Sequence, residues 1–331
     1  MALQVLILLA GLALVVLGAD WLVDGSSAIA RKAGLSEFLI GLTIVGIGTS
    51  MPELVVSLTG ALKGSSDIAI GNVVGSNIFN VLLILGLSAV IRPISITKTN
   101  RRQDIPLNLI VCILLIVCGF HYTMFHIGKE DVLSRFDGLF FLALFVVYML
   151  VSFKNGKQDA ALSEGEGRQE KNRPLGIAIL MVLAGFAALV FGGDTFVDSA
   201  REIATMLGIS DKFIAVTILA GGTSMPELVT CVVAALKKKD QLALGNIIGS
   251  NISNILLILG SSAVFYRRLP DGPGGLSFSG MTFVDLGILI LGSLLLWSSS
   301  YTGKRDSIDR ADGLIFLACF AGYMTFLFNQ L

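Results

Sequence analysis

The stretch GTSMPELV occurs twice in this chain, at residues 48–55 and, letter for letter, at residues 222–229. Both copies lie in strongly apolar surroundings, yet each contains a proline and a glutamate. The separation between the two copies also aligns residues 36–90 with residues 210–264, and more than half of the aligned positions are identical. The chain therefore contains a duplicated unit, and each unit places a charge inside an apolar segment.

The composition indicates a membrane protein. Of the 331 residues, 54% are hydrophobic and only 15% are charged, and the mean hydropathy is +0.82. Soluble domains carry roughly 25% charged residues, and apolar runs of about 18 residues or more predict membrane-spanning helices. Ten such runs are present, at residues 3–30, 37–62, 68–91, 105–125, 132–153, 174–200, 211–236, 242–265, 279–299 and 308–329.

A polar segment at residues 154–173, rich in Gly, Glu, Lys and Gln, reads as a flexible linker between two membrane repeats at 1–153 and 174–331. Because each repeat has an odd number of spans, the second must enter the membrane upside down. The lysines and arginines cluster on the side that is cytoplasmic if the N-terminus is outside and the linker is inside. The predicted fold is an all-α integral membrane protein with two inverted five-helix repeats, a recurring plan of secondary transporters.

The repeated stretch carries two unusual features. A charge at the bilayer centre costs roughly 2.5–3.5 kcal/mol, so Glu53 and Glu227 need compensation. Pro52 and Pro226 lack an N–H group and clash with the carbonyl four residues earlier, which predicts a kink that releases backbone carbonyls. Irregular backbone at membrane depth is tolerated only where it is buried in protein or lines a cavity. The predicted kinks involve Gly48, Pro52, Gly222 and Pro226.

Other polar side chains are spaced to join these acids. In the next span of each repeat, a serine and an asparagine lie one helical turn apart on one face. If the repeats pack about a pseudo-two-fold axis, the polar groups of both meet at one point. The candidate ligand set is Thr49, Ser50, Glu53, Ser76, Asn80, Thr223, Ser224, Glu227, Ser250 and Asn254. Hard cations such as Ca²⁺ take oxygen ligands of these types, and the expected absence of His or Cys nearby disfavours zinc, copper or iron.

The chain strongly resembles the cation/calcium antiporter superfamily and, within it, the prokaryotic sodium/calcium exchangers. The resemblance covers essentially the whole length and rests on GTSMPE at 48–53 and 222–227 and GSNI at 75–78 and 249–252. It implies two sodium/calcium exchanger membrane repeats, alternating access, countertransport of Na⁺ and Ca²⁺ at the midplane, and ligand roles for the candidate set. It also implies calcium extrusion and homeostasis at the plasma membrane by a transporter, not an enzyme, that needs no cofactor.

One position departs from the family pattern. Many members carry an aspartate where this chain has Asn254, which mirrors Asn80. The predicted site thus has two carboxylates, which balance one Ca²⁺ or two Na⁺. The transport stoichiometry and any potassium requirement therefore stay open.

Several polar residues have simpler interpretations. The candidate serines and asparagines could serve only as interhelical hydrogen-bonding groups, and for Asn72 and Asn246 a structural role is favoured. We expect helix-end solvation or pairing with a nearby arginine for Asp20, Asp24, Asp194 and Asp198. The four single cysteines read as small core residues. They are Cys112, Cys118, Cys231 and Cys319.

Three other functions compete with sodium/calcium exchange. A proton/calcium exchanger of the same fold would titrate Glu53 and Glu227 during its cycle. An intramembrane hydrolase is a distant alternative, because GGD at 192–194 superficially resembles an aspartyl protease fragment. The same triplet aligns with GAD at 18–20, as expected of a structural repeat. A membrane scaffold would not need duplicated charged kinks.

We expect inorganic cations and the lipid bilayer as partners, with no obligate protein partner. A net charge of zero argues against nucleic acid.

Overall fold

The computed structural model describes residues 1–126, 130–163, 173–207, 220–268, 273–302 and 306–330. These residues are mostly helical, and the predicted all-α membrane class is confirmed. The first half contains α1 (Ala2–Ala33), α2 (Glu37–Thr49), α3 (Met51–Leu62), α4 (Ser66–Ile91), β1 (Ile94–Ser95), α5 (Asn100–Gly119), α6 (His121–Phe125), β2 (Val132–Leu133) and α7 (Arg135–Ser163). The second contains α8 (Leu175–Met206), α9 (Ala220–Gly222), α10 (Met225–Leu236), α11 (Asp240–Phe265), β3 (Leu276–Ser277), α12 (Phe283–Thr302), β4 (Ser307–Ile308) and α13 (Arg310–Gln330).

Eight of these helices are long and apolar enough to cross a membrane, and the bent pair α2–α3 makes a ninth span among the described residues. The remaining predicted span is the seventh, at 211–236. Its part before residue 220 lies outside the described residues, and α10 is its longest described helix. Of the predicted linker at 154–173, residues 164–172 also lie outside them. Helix α7 extends to Ser163, well beyond the end predicted for the fifth span.

Several helices begin or end a few residues away from the predicted bounds, and local hydrogen bonds explain three of the starts. Before α7, the Ser134 backbone N–H donates to Asp137 Oδ2 at 2.8 Å, and the Asp137 N–H donates back to Ser134 Oγ at 3.3 Å. Thr282 and Asp285 form the same reciprocal cap before α12. Asp309 and Asp312 cap α13 in a related way. Such capping fixes the first turn more sharply than hydropathy does.

Helices α1 and α8 pack side by side through small residues. A methyl group at Gly18 would lie 2.8 Å from the Gly185 carbonyl oxygen, and one at Gly11 would lie 3.0 Å from that of Gly192. The pairing order is reversed along the two helices, so they run antiparallel. Small residues allow this close backbone approach between membrane helices.

The remaining helices pack in mirrored pairs. A methyl group at Gly138 of α7 would lie 2.6 Å from the Gly260 carbonyl of α11, and one at Gly313 of α13 would lie 2.7 Å from the Gly86 carbonyl of α4. Gly86 and Gly260 are equivalent positions of the duplicated unit. The last helix of each half therefore packs against a central helix of the other half.

Two short strand pairs lie at opposite ends of the bundle. Strand β1 pairs with β4 next to Asp240, the first residue of α11, because the Ser95 N–H donates to Asp240 Oδ2 at 3.0 Å. We call this end, which also carries Lys237, the linker face. Strand β2 pairs with β3 at the end where the Tyr266 hydroxyl donates to the Gly64 carbonyl at 3.4 Å. This end carries Lys63, and we call it the far face.

Candidate functional site

The membrane span that carries Glu53 is broken just before the acid. Helices α2 and α3 meet at an angle of 47°. The break lies at Ser50, which has φ −83° and ψ 9°, and Ser224 has φ −89° and ψ 8°. These values fall in the sparsely populated bridge region. The break is thus centred two residues before the proline, because Pro52 sits in the first turn of α3, where its missing N–H is tolerated.

This arrangement places both acids in the first turn of a helix. Glu53 lies in the first turn of α3 and Glu227 in that of α10. The free N–H groups and the dipole of a helix N-terminus favour negative charge. Each acid is only 1% exposed. The two half-helices therefore supply part of the compensation that a charge buried in the membrane requires.

Each carboxylate is held by a serine of the opposite repeat. The Ser224 hydroxyl donates to Glu53 Oε1 at 3.0 Å, and the Ser50 hydroxyl donates to Glu227 Oε1 at 2.9 Å. Ser224 also contacts Ser76 at 3.1 Å, and the Ser76 hydroxyl lies 3.4 Å from Glu53 Oε1. The structure thus brings these residues of both halves into one cluster.

The asparagines of α4 and α11 meet across the same interface. Asn80 Nδ2 donates to Asn251 Oδ1 at 3.0 Å, and Asn254 Nδ2 donates to Asn77 Oδ1 at 2.9 Å. The sequence interpretation included Asn80 and Asn254 but missed Asn77 and Asn251. Their identical place in the two GSN triplets could have identified them.

Four buried oxygen atoms of this cluster have no hydrogen-bond partner among the described residues. They are Glu53 Oε2, Glu227 Oε2, Asn80 Oδ1 and Asn254 Oδ1. All four are acceptors, and buried polar atoms are rarely left without a partner. A bound hard cation would satisfy them, since Ca²⁺ is coordinated by carboxylate and amide oxygens. The residues present therefore fit an inorganic cation as cargo.

The other candidate residues lie around this cluster, the threonines in equivalent contacts and the serines of α4 and α11 in different ones. The Thr49 hydroxyl donates to Asn246 Oδ1 at 3.1 Å, and the Thr223 hydroxyl donates to Asn72 Oδ1 at 3.4 Å. Ser250 does not contact an acid in the way that Ser76 does, since its hydroxyl donates to the Gly46 carbonyl at 3.1 Å. The kink glycine Gly48 packs against the Phe186 ring, and a methyl group at Gly222 would lie 2.9 Å from Val197 Cγ2.

The asparagines interpreted as structural make hydrogen bonds behind the acids. Asn72 Nδ2 donates to the Glu53 carbonyl at 3.2 Å and to Ser57 Oγ at 2.9 Å. Asn246 Nδ2 lies 3.1 Å from Cys231 Sγ. The sequence interpretation was therefore wrong that no cysteine lies nearby, because Cys231 follows Glu227 by one helical turn. Within the described ranges, no three His, Cys, Asp or Glu side chains are grouped so that they could together hold a metal ion.

The aspartates of the long helices behave differently in the two halves. Lys237 Nζ pairs with Asp20 Oδ1 at 2.6 Å and with Asp24 Oδ1 at 2.5 Å, and Arg173 pairs with Asp24 at 3.0 Å. The partners expected from the sequence were arginines, and the lysine was missed. Their equivalents Asp194 and Asp198 are exposed.

Comparison with known proteins agrees with this fold. The family model described as "Sodium/calcium exchanger protein" matches residues 3–154 and 177–329. The putative antiporter CaxA of Alkalimonas amylolytica is 36% identical over 100% of both chains. The sodium/calcium exchanger MaX1 of Methanosarcina acetivorans is 35% identical over 98% of both chains. A solved structure of the sodium-calcium exchanger NCX_Mj superimposes with a TM-score of 0.81 at 34% identity, covering 98% of each chain.

These matches cover both halves and the linker-flanking helices, and they confirm the resemblance seen in the repeated motifs. The described helices make the chain a multi-pass membrane protein. Its GTSMPE and GSNI stretches converge on one buried oxygen cluster. The chain therefore belongs to the sodium/calcium exchanger protein family, within the cation/calcium antiporters.

Proposed function

We propose that this chain exchanges Na⁺ for Ca²⁺ across the membrane by alternating access, with the ions bound between the two repeats. The observation that carries the proposal is the set of four unpartnered buried oxygens, two from glutamates and two from asparagines. Two of them carry negative charge, and hard cations such as Ca²⁺ bind oxygen ligands of these types. The names of MaX1 and NCX_Mj, both sodium/calcium exchangers, support the same ions here.

The proposed ligands are arranged in two tiers. Glu53, Glu227, Asn80 and Asn254 present free oxygens to the ion. The remaining members of the candidate set are hydroxyl residues around these four, and we propose that their oxygens complete the coordination of the ion. They are Thr49, Ser50, Ser76, Thr223, Ser224 and Ser250.

Competition for one cage accounts for the exchange. Two buried carboxylates without a counter-ion are costly, since each charge has lost its water. One Ca²⁺ or two Na⁺ would neutralise the pair, so the loaded forms cross between states more easily than the empty one. Occupancy by one ion excludes the other, and net transport of Ca²⁺ then requires Na⁺ movement in the opposite direction.

We infer the cellular setting from charge distribution. The lysine and arginine pattern supports an outside N-terminus and a cytoplasmic linker in the plasma membrane. With this orientation, inward Na⁺ flow would extrude calcium and maintain calcium homeostasis. The chain would act alone on inorganic cations, without a cofactor.

The test is Ca²⁺ uptake into sealed vesicles that contain the purified full-length protein. Na⁺-loaded vesicles diluted into Na⁺-free buffer should accumulate ⁴⁵Ca²⁺, and Glu53→Gln or Glu227→Gln should abolish the uptake. Glu130→Gln is a matched control, since this exposed glutamate lies on the far face and accepts a hydrogen bond from the Gly274 N–H at 2.6 Å. Uptake that is absent in the unaltered protein under every gradient would overturn the proposal.

The same vesicles separate the competing ions. The nearby pair of buried acids could share a proton, so a pH step in Na⁺-free buffer tests the proton/calcium alternative. Relatives named sodium/potassium/calcium exchangers match at most about half of this chain, for example Nckx30C of Drosophila melanogaster over 48% of it at 29% identity. Adding K⁺ to either side tests a potassium requirement. Uptake driven by a pH step alone would replace Na⁺ by H⁺ in the proposal.

A further inference from the structure

We propose that Asn77 and Asn251 are positioning residues, each of which fixes the amide orientation of the ion-binding asparagine in the opposite repeat. The inference rests on the proposed function, because it assigns Asn80 and Asn254 as ion ligands. Neither Asn77 nor Asn251 is proposed to touch the ion.

An asparagine side chain can serve a cation with only one of its two ends. Its amide oxygen is an acceptor, while its NH₂ group carries two donors that repel a positive ion. Asn254 Nδ2 donates to Asn77 Oδ1, and its own Oδ1 is left without a partner among the described residues. Asn80 has the same arrangement toward Asn251. The partner residue thus binds the end that must face away from the ion.

The orientation of Asn77 is itself fixed by a second contact. Asn77 Nδ2 donates to the Asn251 backbone carbonyl at 3.2 Å. With its NH₂ group held there, its Oδ1 is turned toward Asn254. Asn77 and Asn251 are 1% and 2% exposed, so water does not compete for these bonds. A chain of amide contacts therefore runs across the repeat interface and ends in a free oxygen.

Removal of one positioning residue should change ion affinity without removing a ligand. In Asn251→Ala, the Asn80 amide loses the acceptor that holds its NH₂ group. We expect a rise of about three- to tenfold in the half-saturating Ca²⁺ concentration, the size of effect typical of one lost hydrogen bond. The maximal rate should change little, because both carboxylates remain.

A double-mutant cycle separates this role from a general structural one. Asn251→Ala is measured in the unaltered protein, in Asn80→Ala and in Asn254→Ala, with Na⁺-driven ⁴⁵Ca²⁺ uptake as the readout. If Asn251 acts through Asn80, its substitution has no further effect on Ca²⁺ affinity in Asn80→Ala but keeps its full effect in Asn254→Ala. Equal effects in both backgrounds would overturn the positioning role.

The mirror cycle uses Asn77→Ala, whose effect should vanish in Asn254→Ala and persist in Asn80→Ala. It keeps the test decisive if Asn251→Ala does not fold, as judged by thermal unfolding in detergent.

Failure of the positioning role can be distinguished from failure of the proposed function. If Asn80→Ala and Asn254→Ala leave Ca²⁺ affinity unchanged, the ion site itself is misassigned and both proposals fall. If they weaken binding but the cycles are additive, only the positioning role falls.

Discussion

The linker face and the far face of the bundle are built from duplicated sequence, yet their ion pairs differ. At the linker face, Lys237 at the end of α10 is paired with Asp20 and Asp24 of α1. The equivalent residue at the far face is Lys63, which is exposed and makes no ion pair within the described part of the chain. The aspartates that mirror those of α1 lie exposed on α8.

At the centre of the molecule the two halves are nearly equal. Each acid accepts a hydrogen bond from a serine of the other half, at 3.0 and 2.9 Å. The asparagine pairs match in the same way, at 3.0 and 2.9 Å. The comparison teaches that the acids and asparagines keep the symmetry of the repeats, whereas the serine pair Ser76 and Ser250 and the two faces do not. The proposed alternating access needs an asymmetry of this kind, because exchanging the arrangements of the two halves would turn the site from one face to the other.

The largest expected effect tests the equality of the two acids. Glu53→Gln and Glu227→Gln should each lower Ca²⁺ affinity by more than about 100-fold, because disrupting a buried charge arrangement costs about 3–5 kcal/mol. Affinity is measured from equilibrium ⁴⁵Ca²⁺ binding to the purified protein in detergent, because uptake by these variants is expected to be abolished. A large loss in one variant and none in the other would contradict the symmetric centre.

The serines give a finer comparison of the same centre. Ser50→Ala and Ser224→Ala each remove one donor to a buried acid, and bonds to charged groups contribute about 1.5–3 kcal/mol. We expect Ca²⁺ affinity to fall at least tenfold in both, with the larger loss in Ser224→Ala, since Ser224 also contacts Ser76. Ser261→Ala is the control, because its hydroxyl bonds only to carbonyls of its own helix in the described residues. Equal behaviour of all three variants would exclude a special role for the two site serines.

The contact between α1 and α8 can be tested with two adjacent glycines. A methyl group at Gly192 would lie 2.9 Å from the Val15 backbone nitrogen, whereas one at Gly193 meets no atom within 4 Å among the described residues. Overpacking costs about 1–3 kcal/mol. Gly192→Ala should therefore lower the thermal unfolding midpoint in detergent, and Gly193→Ala should not. A similar midpoint for both variants would mean that the helices do not approach through Gly192.

The smallest effect compares the two faces directly. Lys237→Met removes the ion pairs to α1, and Lys63→Met changes the mirror position without breaking a described pair. The linker-face groups are partly exposed, with side-chain exposures of 27% for Lys237 and 30% for Asp24, so their contribution is at most about 1 kcal/mol. The thermal unfolding midpoint of Lys237→Met should fall at low salt and stay unchanged at high salt. The midpoint of Lys63→Met should stay unchanged at both salt concentrations. A larger loss in Lys63→Met would reverse the comparison.

Much of the architecture could be predicted from the sequence, because the length of each apolar span and the duplication of the unit can both be read directly along the chain. Hydropathy located the helices, and the repeat offset identified which residues are equivalent. The i,i+4 spacing selected Ser76 and Asn80 as candidates. These features depend on neighbours along the chain, and the all-α class they predicted is confirmed.

The contacts between repeats could not be predicted, because they depend on how two halves are rotated about an axis that the sequence does not specify. The pairing of Asn80 with Asn251, and of Ser50 with Glu227, requires that rotation. The predicted kink involved Gly48 and Pro52, and the break lies between them at Ser50, because Pro52 can occupy the first turn of a new helix. The proximity of Cys231 was missed although its i,i+4 relation to Glu227 was visible in the sequence.

The position of the two glutamates in the first turns of α3 and α10 has a consequence for turnover. A transporter must release its ion as readily as it binds it. Two fully charged acids facing a divalent ion would bind that ion too tightly for rapid release. The peptide dipoles behind Glu53 and Glu227 already provide a fraction of a positive charge at each acid. At the proposed ion site, they would lessen the difference in energy between the occupied and the empty state, which would favour release of the ion in each transport cycle.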